Sequence, residues 1–340
     1  MKKNKLFIII SMILILALTA FTGCGAAPGE SAEEPADQEV YEISEPINVA
    51  VMNGPTGMGL VDLMGNENYN IEIYQAPTDA MPKIISGEID VACLPSNMAA
   101  VLYNKTEGQV VCVSPMVMGV LHILGNGVDI SSVEDLKGKT IVSSGQGGTP
   151  EYALQTVLEN NGLEMGTDVN VEWLASHADV NTKLLSEEGT IAMVPEPFVS
   201  TAKVQGAGSV ADLFDLNTLW SDATGQDFPM GVLVARRDFS ETRGDDLKAM
   251  LYDVKASIDD VNTCSDEVCQ KIVDNGFLGN ADIAKNAILN CNLCLYADPD
   301  GDNSFENGAS IMKTFNETMF GITPEAVGGK LPEDDLYYMG

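Results

Sequence analysis

Positive charge is what this chain of 340 residues most lacks: 18 Lys and Arg stand against 50 Asp and Glu, a formal net charge of −32. Lys2, Lys3 and Lys5 precede the first apolar run, so the remainder of the chain is poorer still in cations. A basic footprint for nucleic acid is therefore excluded. The acidic field also disfavours an anionic ligand unless local backbone amides override it. Histidine occurs only at His122 and His177, and no Ser–His–Asp, HExxH or P-loop pattern is present. Hydrolase and nucleotide-driven chemistries have no residues to carry them. Beyond Ala20 no apolar run is long enough to span a bilayer.

What is present begins with a basic start, an apolar stretch over residues 6–20, and Phe21-Thr22-Gly23-Cys24. That order spells an export signal over 1–23, with an uncleaved anchor as the alternative. Thr-Gly-Cys resembles a bacterial lipobox, Phe21 standing where Leu is usual. It implies cleavage before Cys24, lipidation of that sulfur and a tether at the outer face of the cell membrane. Residues 24–46, rich in Ala, Gly, Glu, Ser, Pro and Asp, read as a flexible acidic linker.

From residue 47 the pattern alternates β-type and helical segments. The centre of the reading is Ser143-Ser144-Gly145-Gln146-Gly147-Gly148-Thr149-Pro150-Glu151. A short β-type run precedes it, and Leu154, Val157 and Leu158 recur behind it at helical spacing. Strand, glycine-rich loop and helix follow one another, with Thr149 read as the N-cap and Pro150 as the first helical residue. Met52-Asn53-Gly54-Pro55-Thr56-Gly57 is a second loop of this kind after the strand 47–51. Such loops lie at the ligand-facing ends of parallel strands. Two α/β units of parallel sheet emerge, joined by extended crossings at 118–124 and 228–235, and the chain turns helical after Ser240. The expected division is lobe 1 over 47–120, lobe 2 over 121–230 and a return to lobe 1 over 231–340. Hinge closure on a ligand is the motion this layout permits.

Of the cysteines, Cys93 and Cys112 lie in apolar runs and read as buried thiols. Cys291-Asn292-Leu293-Cys294 is a lone CxxC, and Cys264 and Cys269 are five apart. A four-Cys zinc site is set aside because the second spacing is poor, and disulfides are left open. Asp298-Pro299-Asp300-Gly301-Asp302 with Glu306 reads as an acidic surface turn, since Asn303 stands where a calcium loop needs Gly. No metal or cofactor is expected.

Several segments together resemble the solute-binding proteins of bacterial ABC importers, of the type II periplasmic-binding fold. They are Ile84-Ile85-Ser86-Gly87-Glu88-Ile89-Asp90-Val91-Ala92, Leu136-Lys137-Gly138-Lys139-Thr140-Ile141, the loop at 145–152, and Gly189 through Pro195-Glu196-Pro197. The branch they are most similar to binds nitrate, sulfonates, taurine and thiamine precursors. The resemblance implies a non-enzymatic, extracytoplasmic α/β protein of two lobes. It would act as a monomer, closing on a small molecule and passing it to a permease with its ATPase. It also implies contacts from Asn53, Thr56, Gly57, Ser96, Asn97, Gln146, Gly148, Thr149 and Glu196. His122, in the first crossing, is a further candidate, while His177 and the aromatic Tyr74, Tyr152 and Trp173 read as solvated or core residues. Since none of these loops contains Lys or Arg, a neutral or cationic organic ligand is favoured. Two rivals stand beside this reading: a surface sensor without transport, and a pyrimidine-synthase-like enzyme, for which Lys83 is the candidate reactive lysine.

Overall fold

The computed structural model of the protein describes residues 41–301 and 303–340. The export signal, Cys24 and most of the linker lie outside the described residues. The described chain is docked from its start. Tyr41 stacks on Tyr252 with ring centroids 6.1 Å apart, and Ser44 donates both its N–H and its hydroxyl to Asp246. The expected linker thus has its last residues, 41–46, against the body.

The first sheet is seeded by β1 (Ile47–Met52), whose side chains alternate between two cores: Ile47, Val49 and Val51 on one face, Ala50 on the other. The chain continues through α1 (Pro55–Met58), β2 (Tyr69–Tyr74), α2 (Pro77–Ser86), β3 (Val91–Pro95), α3 (Asn97–Lys105) and β4 (Val110–Met118). Two residues later it enters the second half at β5 (Leu121–Asn126). There follow β6 (Thr140–Ser143), α4 (Thr149–Asn160), β7 (Asn170–Trp173), α5 (His177–Ser186), β8 (Ile191–Pro195), α6 (Phe198–Gln205), β9 (Val210–Asp215) and α7 (Leu216–Thr224). The return strand is β10 (Pro229–Arg236). The helices α8 (Arg237–Thr242), α9 (Gly244–Asn262), α10 (Asp266–Asp274), α11 (Ala281–Ala287) and α12 (Ser304–Ile322) close the chain.

The strand orders are β2-β1-β3-β10-β4 and β7-β6-β8-β5-β9. Sequence rhythm predicts parallel sheets, and in each sheet four strands do run parallel. The fifth is antiparallel: β10 inserts between β3 and β4, and β5 between β8 and β9. The reason lies in the crossings, because a strand arriving from the other sheet enters from the opposite end. Each lobe is thereby tied to the other by an interior strand of its sheet. Helix α2 starts earlier than expected, at Pro77, with Pro82 inside it, and stops at Gly87 in the left-handed region (φ 85). Among the described residues no helix is long and apolar enough to cross a membrane.

Candidate functional site

Four loops follow parallel strands at their C-terminal ends: β1–α1, β3–α3, β6–α4 and β8–α6. They converge between the two sheets, as expected for ligand loops of an open α/β sheet. The cavity between them has a volume of about 120 Å³. It is lined by Met52, Asn53, Gly54, Pro55, Thr56, Leu94 and Pro95 from the first lobe, and by Pro150, His177, Pro195, Glu196 and Phe198 from the second. Val117, Val120, Met230 and Gly231 from the crossings form its floor. No Lys or Arg is among the lining residues.

The floor needs close approaches. A Cβ at Gly231 would lie 2.6 Å from Thr56 Cγ2. One at Gly57 would lie 2.4 Å from Phe277 Cε1 and 2.7 Å from the Met52 carbonyl oxygen. Glycine at these positions lets β10 and the first loop lie against their neighbours, and Phe277 supports that loop from beneath. Gly57 therefore faces Phe277 and is not among the lining residues.

Glu196 is the one carboxylate in the lining and is 2 % exposed. Its Oε2 accepts the Ser200 N–H (3.1 Å) and its Oε1 accepts the Ser200 hydroxyl (3.0 Å), so it caps α6 from the preceding loop. Burial pushes its pKa up, and the Ser200 bonds with the more distant His122 and Lys203 only partly offset that. A second, polar cavity lies behind it, lined by Gly119, His122, Glu196, Lys203, Asp215, Asn217, Asn290 and Asn292. His122 thus lines this chamber and not the apolar one. Its Nδ1 lies 3.1 Å from Asp212, which also holds Lys203 at 2.6 Å. Burial alone would lower the His122 pKa, but Asp212, Asp215 and Glu196 outweigh it and leave it raised.

His177 corrects the sequence reading most sharply. Expected as a solvated helix start, it lines the cavity, with its Nδ1 2.5 Å from Ser144 Oγ and its ring against Phe198 (centroids 5.4 Å). Burial holds its pKa down at about 4, so the imidazole is neutral at pH 7. With Nδ1 engaged by Ser144, Nε2 is left as its other polar atom. Helix α5 is capped instead by Ser176, whose Oγ accepts the Asp179 N–H.

Asn97 and Thr149 are both wholly buried and meet each other from opposite lobes. The Thr149 hydroxyl donates to Asn97 Oδ1 (3.1 Å), and the Asn97 N–H points back at that hydroxyl (3.4 Å). Asn97 Nδ2 also donates to the Ala326 carbonyl. Thr149 is thus the first residue of α4 and not its N-cap, which is Gly148. Its side chain is spent on the other lobe. In the same loop the Gly147 N–H donates to the Glu151 carboxylate at 2.5 Å. Gln146 is exposed and Gly148 half-buried, neither among the lining residues. Ser96 is fully buried and its hydroxyl has no hydrogen-bond partner. Of the ten expected contacts, Asn53, Thr56 and Glu196 come together in the apolar cavity.

Lys83, the candidate reactive lysine, is outside the cavity and paired with Glu72 at 2.7 Å. Residues 298–301 form a turn, and no group of His, Cys, Asp and Glu able to hold a metal occurs among the described residues. Lining residues that the sequence does not single out include Met52, Leu94, Val117, Val120, Pro150, His177, Pro195, Phe198, Met230 and Gly231. Crossing strands that join two lobes pass beneath the cleft, and that is the available signal for Val120, Met230 and Gly231.

A family model for the periplasmic phosphonate substrate-binding protein of ABC transporters matches residues 64–268. Curated proteins searched by sequence give no match. Among solved structures, an ABC transporter protein from Parabacteroides distasonis aligns with a TM-score of 0.70 at 21 % identity, over 86 % of this chain and 99 % of that one. The periplasmic aliphatic sulphonate-binding protein of Escherichia coli gives 0.64 at 16 % identity, over 87 % and 92 %. The ligand-binding component of an ABC-type import system from Staphylococcus aureus, solved with zinc bound, gives 0.59 at 15 %, over 84 % and 99 %. These likenesses establish the two-lobed periplasmic-binding fold, and the family match covers more than half of the chain. The chain belongs to the phosphonate-type family of periplasmic substrate-binding proteins, which capture a small molecule outside the cytoplasm for an ABC permease.

Proposed function

We propose that this binding protein carries a small, mostly apolar organic molecule whose polar end is neutral or cationic, and not a phosphonate or sulfonate. The observation behind this is the charge of the cavity wall: a buried carboxylate at Glu196, a neutral imidazole at His177, and no Lys or Arg. A dianion entering beside Glu196 would meet like charge in a desolvated site. Backbone amides are the other route to holding an anion. Of the loop amides, the Asn97 N–H faces Thr149 Oγ1 and the Gly147 N–H is satisfied by Glu151, so these two are not offered to a ligand. A cationic or hydrogen-bond-donating group beside Glu196 would instead relieve the cost of burying that carboxylate. The apolar walls from Met52, Leu94, Val117, Val120, Phe198 and Met230 would take the body of the ligand. Asn53 and Thr56 would contact it from the first lobe, and His177 from the second.

In this reading the protein performs no catalysis and acts as a monomer tethered by lipid at Cys24, serving a permease together with its ATPase. Residues 47–120 and 231–340 form one lobe and 121–230 the other. Closure buries the ligand, and the closed form is what the permease recognises.

A thermal-shift screen of residues 40–340 against amines, amides, aminated heterocycles, phosphonates and sulfonates tests this. A true ligand at a hundredfold excess over its Kd stabilises the native state by about 2.7 kcal/mol. The expected hit lies among the neutral and cationic compounds and weakens in both Glu196→Gln and His177→Ala. A hit indifferent to both variants would remove the site assignment.

A further inference from the structure

The described thiols are all free, at Cys93, Cys112, Cys264, Cys269, Cys291 and Cys294. The pair most conspicuous in the sequence, Cys291 and Cys294, is engaged by different neighbours. Cys291 ends a short 3-10 turn and is fully buried in the core. Asn292 then enters the left-handed region (φ 45) and turns the chain towards β4. There the Cys294 N–H donates to the Met116 carbonyl, and its thiol points at the Pro115 carbonyl.

The less conspicuous pair does meet. Ser265 caps α10, its Oγ accepting the Val268 N–H at 3.2 Å. That places Cys264 immediately before the cap and Cys269 at the fourth helical residue. These are the two positions whose side chains close over a helix start as a hydrophobic staple. Cys264 has φ 53, which turns the end of α9 into α10 and brings its side chain onto the core cluster that contains Cys269. Among neighbouring groups, the Cys264 side chain is the first to act on the Cys269 thiol, by charge and by hydrogen bonding. Cys269 is buried and Cys264 is half-buried, with its Sγ 3.3 Å from the Lys285 carbonyl oxygen.

We propose that Cys264 and Cys269 are oxidised to a disulfide in the extracytoplasmic protein, converting the staple of α10 into a covalent clasp. A protein of this family works outside the cytoplasm, where disulfides form and persist. The oxidant is a small-molecule or protein disulfide. The more accessible Cys264, as thiolate, attacks one of its sulfurs and expels one thiolate. Cys269, as thiolate, then attacks the Cys264 sulfur of the mixed disulfide and expels the second. The two protons released from the cysteines pass to the two departing thiolates, so one disulfide is reduced for each one formed. Burial and the neighbouring Cys264 raise the pKa of the Cys269 thiol, and the ammonium of Lys285 works against them. The clasp also bears on the cleft, because Phe277, just beyond α10, is the ring on which Gly57 of the first ligand loop rests.

The test is peptide mapping of the full chain after incubation with oxidised glutathione, against a dithiothreitol-treated control. Free thiols are blocked with N-ethylmaleimide under denaturing conditions. Cleavage after Lys255 and Lys271 places both cysteines in one peptide. The expected oxidised peptide is lighter by two hydrogens and carries no maleimide, whereas the control carries two. Oxidised protein is expected to unfold about 3 °C above reduced protein, as closing so short a loop implies for a chain of this size. Cys264→Ser abolishes that difference, and Cys291→Ser does not. Two maleimides on the peptide after oxidation, or a linkage of Cys291 to Cys294 in its place, would overturn the proposal. Neither outcome depends on the ligand.

Discussion

The bond between Thr149 and Asn97 makes a prediction that needs no knowledge of the ligand. It joins the first residue of α4, in one lobe, to the first residue of α3, in the other, and both side chains are wholly buried. Thr149→Val keeps the shape and removes the hydroxyl. In the closed form the variant leaves Asn97 Oδ1 and the Asn97 N–H without Thr149 as a partner, at a cost of about 1–3 kcal/mol. In an open form water satisfies both groups, so the cost falls on closure alone. Taking about 2 kcal/mol, the equilibrium shifts towards opening by roughly thirtyfold. Amide hydrogen exchange reads this directly, because amides protected only by closure exchange in proportion to the open population. The N-terminal amides of α3 and α4 should exchange about thirtyfold faster in the variant, while those within β1 and β6 hardly change. Unchanged exchange at both helix starts would refute the latch. Equal acceleration throughout the chain would show instead that the bond supports global stability. Asn97→Ala should be non-additive with Thr149→Val, since both remove one interaction.

Stability should respond to pH through the two histidines with opposite signs. His177 titrates at about 4 in the folded chain, below its ordinary 6.5. Its contribution is complete above 6.5 and is lost as pH falls towards 4, by up to about 1.4 kcal/mol per unit. His122 is raised above 6.5, so its contribution is present below that value and lost as pH rises through its folded pKa. Denaturation midpoints measured between about pH 4 and 8 should lose their acid-side slope in His177→Asn and their opposing slope in His122→Asn. A further prediction concerns Gly57→Ala, whose Cβ meets the Met52 backbone as well as the Phe277 ring, so that a side-chain shift alone cannot relieve it. It should destabilise the protein by about 1–3 kcal/mol in urea titrations and weaken any cleft ligand, and an unperturbed midpoint would contradict the packing described.

Much of the fold was legible because strand and helix periods are written locally. Val49, Val51, Ile84, Leu154 and Leu158 announce their elements, and glycines such as Gly87 end them. The antiparallel insertion of β5 and β10 was not legible, since the direction of a strand in a sheet depends on which lobe the chain arrives from. In the site, Asn53, Thr56 and Glu196 could be found from loop chemistry. Thr149 looked like an ordinary cap, and only the tertiary approach of Asn97 diverts its hydroxyl. His177 looked solvated because it stands at a helix start, yet Ser144 and Phe198 hold its ring in the cleft wall. The thiols show the same limit: the CxxC spacing draws attention to Cys291 and Cys294, which meet different neighbours on either side of the turn at Asn292.

Selection against anions by the cleft is read by calorimetry on a matched series. One small apolar body, of a size that fills the cavity, is titrated as its phosphonate, sulfonate, carboxamide and primary amine. No heat of binding is expected from the two anions. The amine or the amide is expected to bind, with the amine losing most of its affinity in Glu196→Gln. Tight binding of the phosphonate or sulfonate by the unaltered protein would contradict that selection, and would mean that the cleft holds an anion by means other than the residues described.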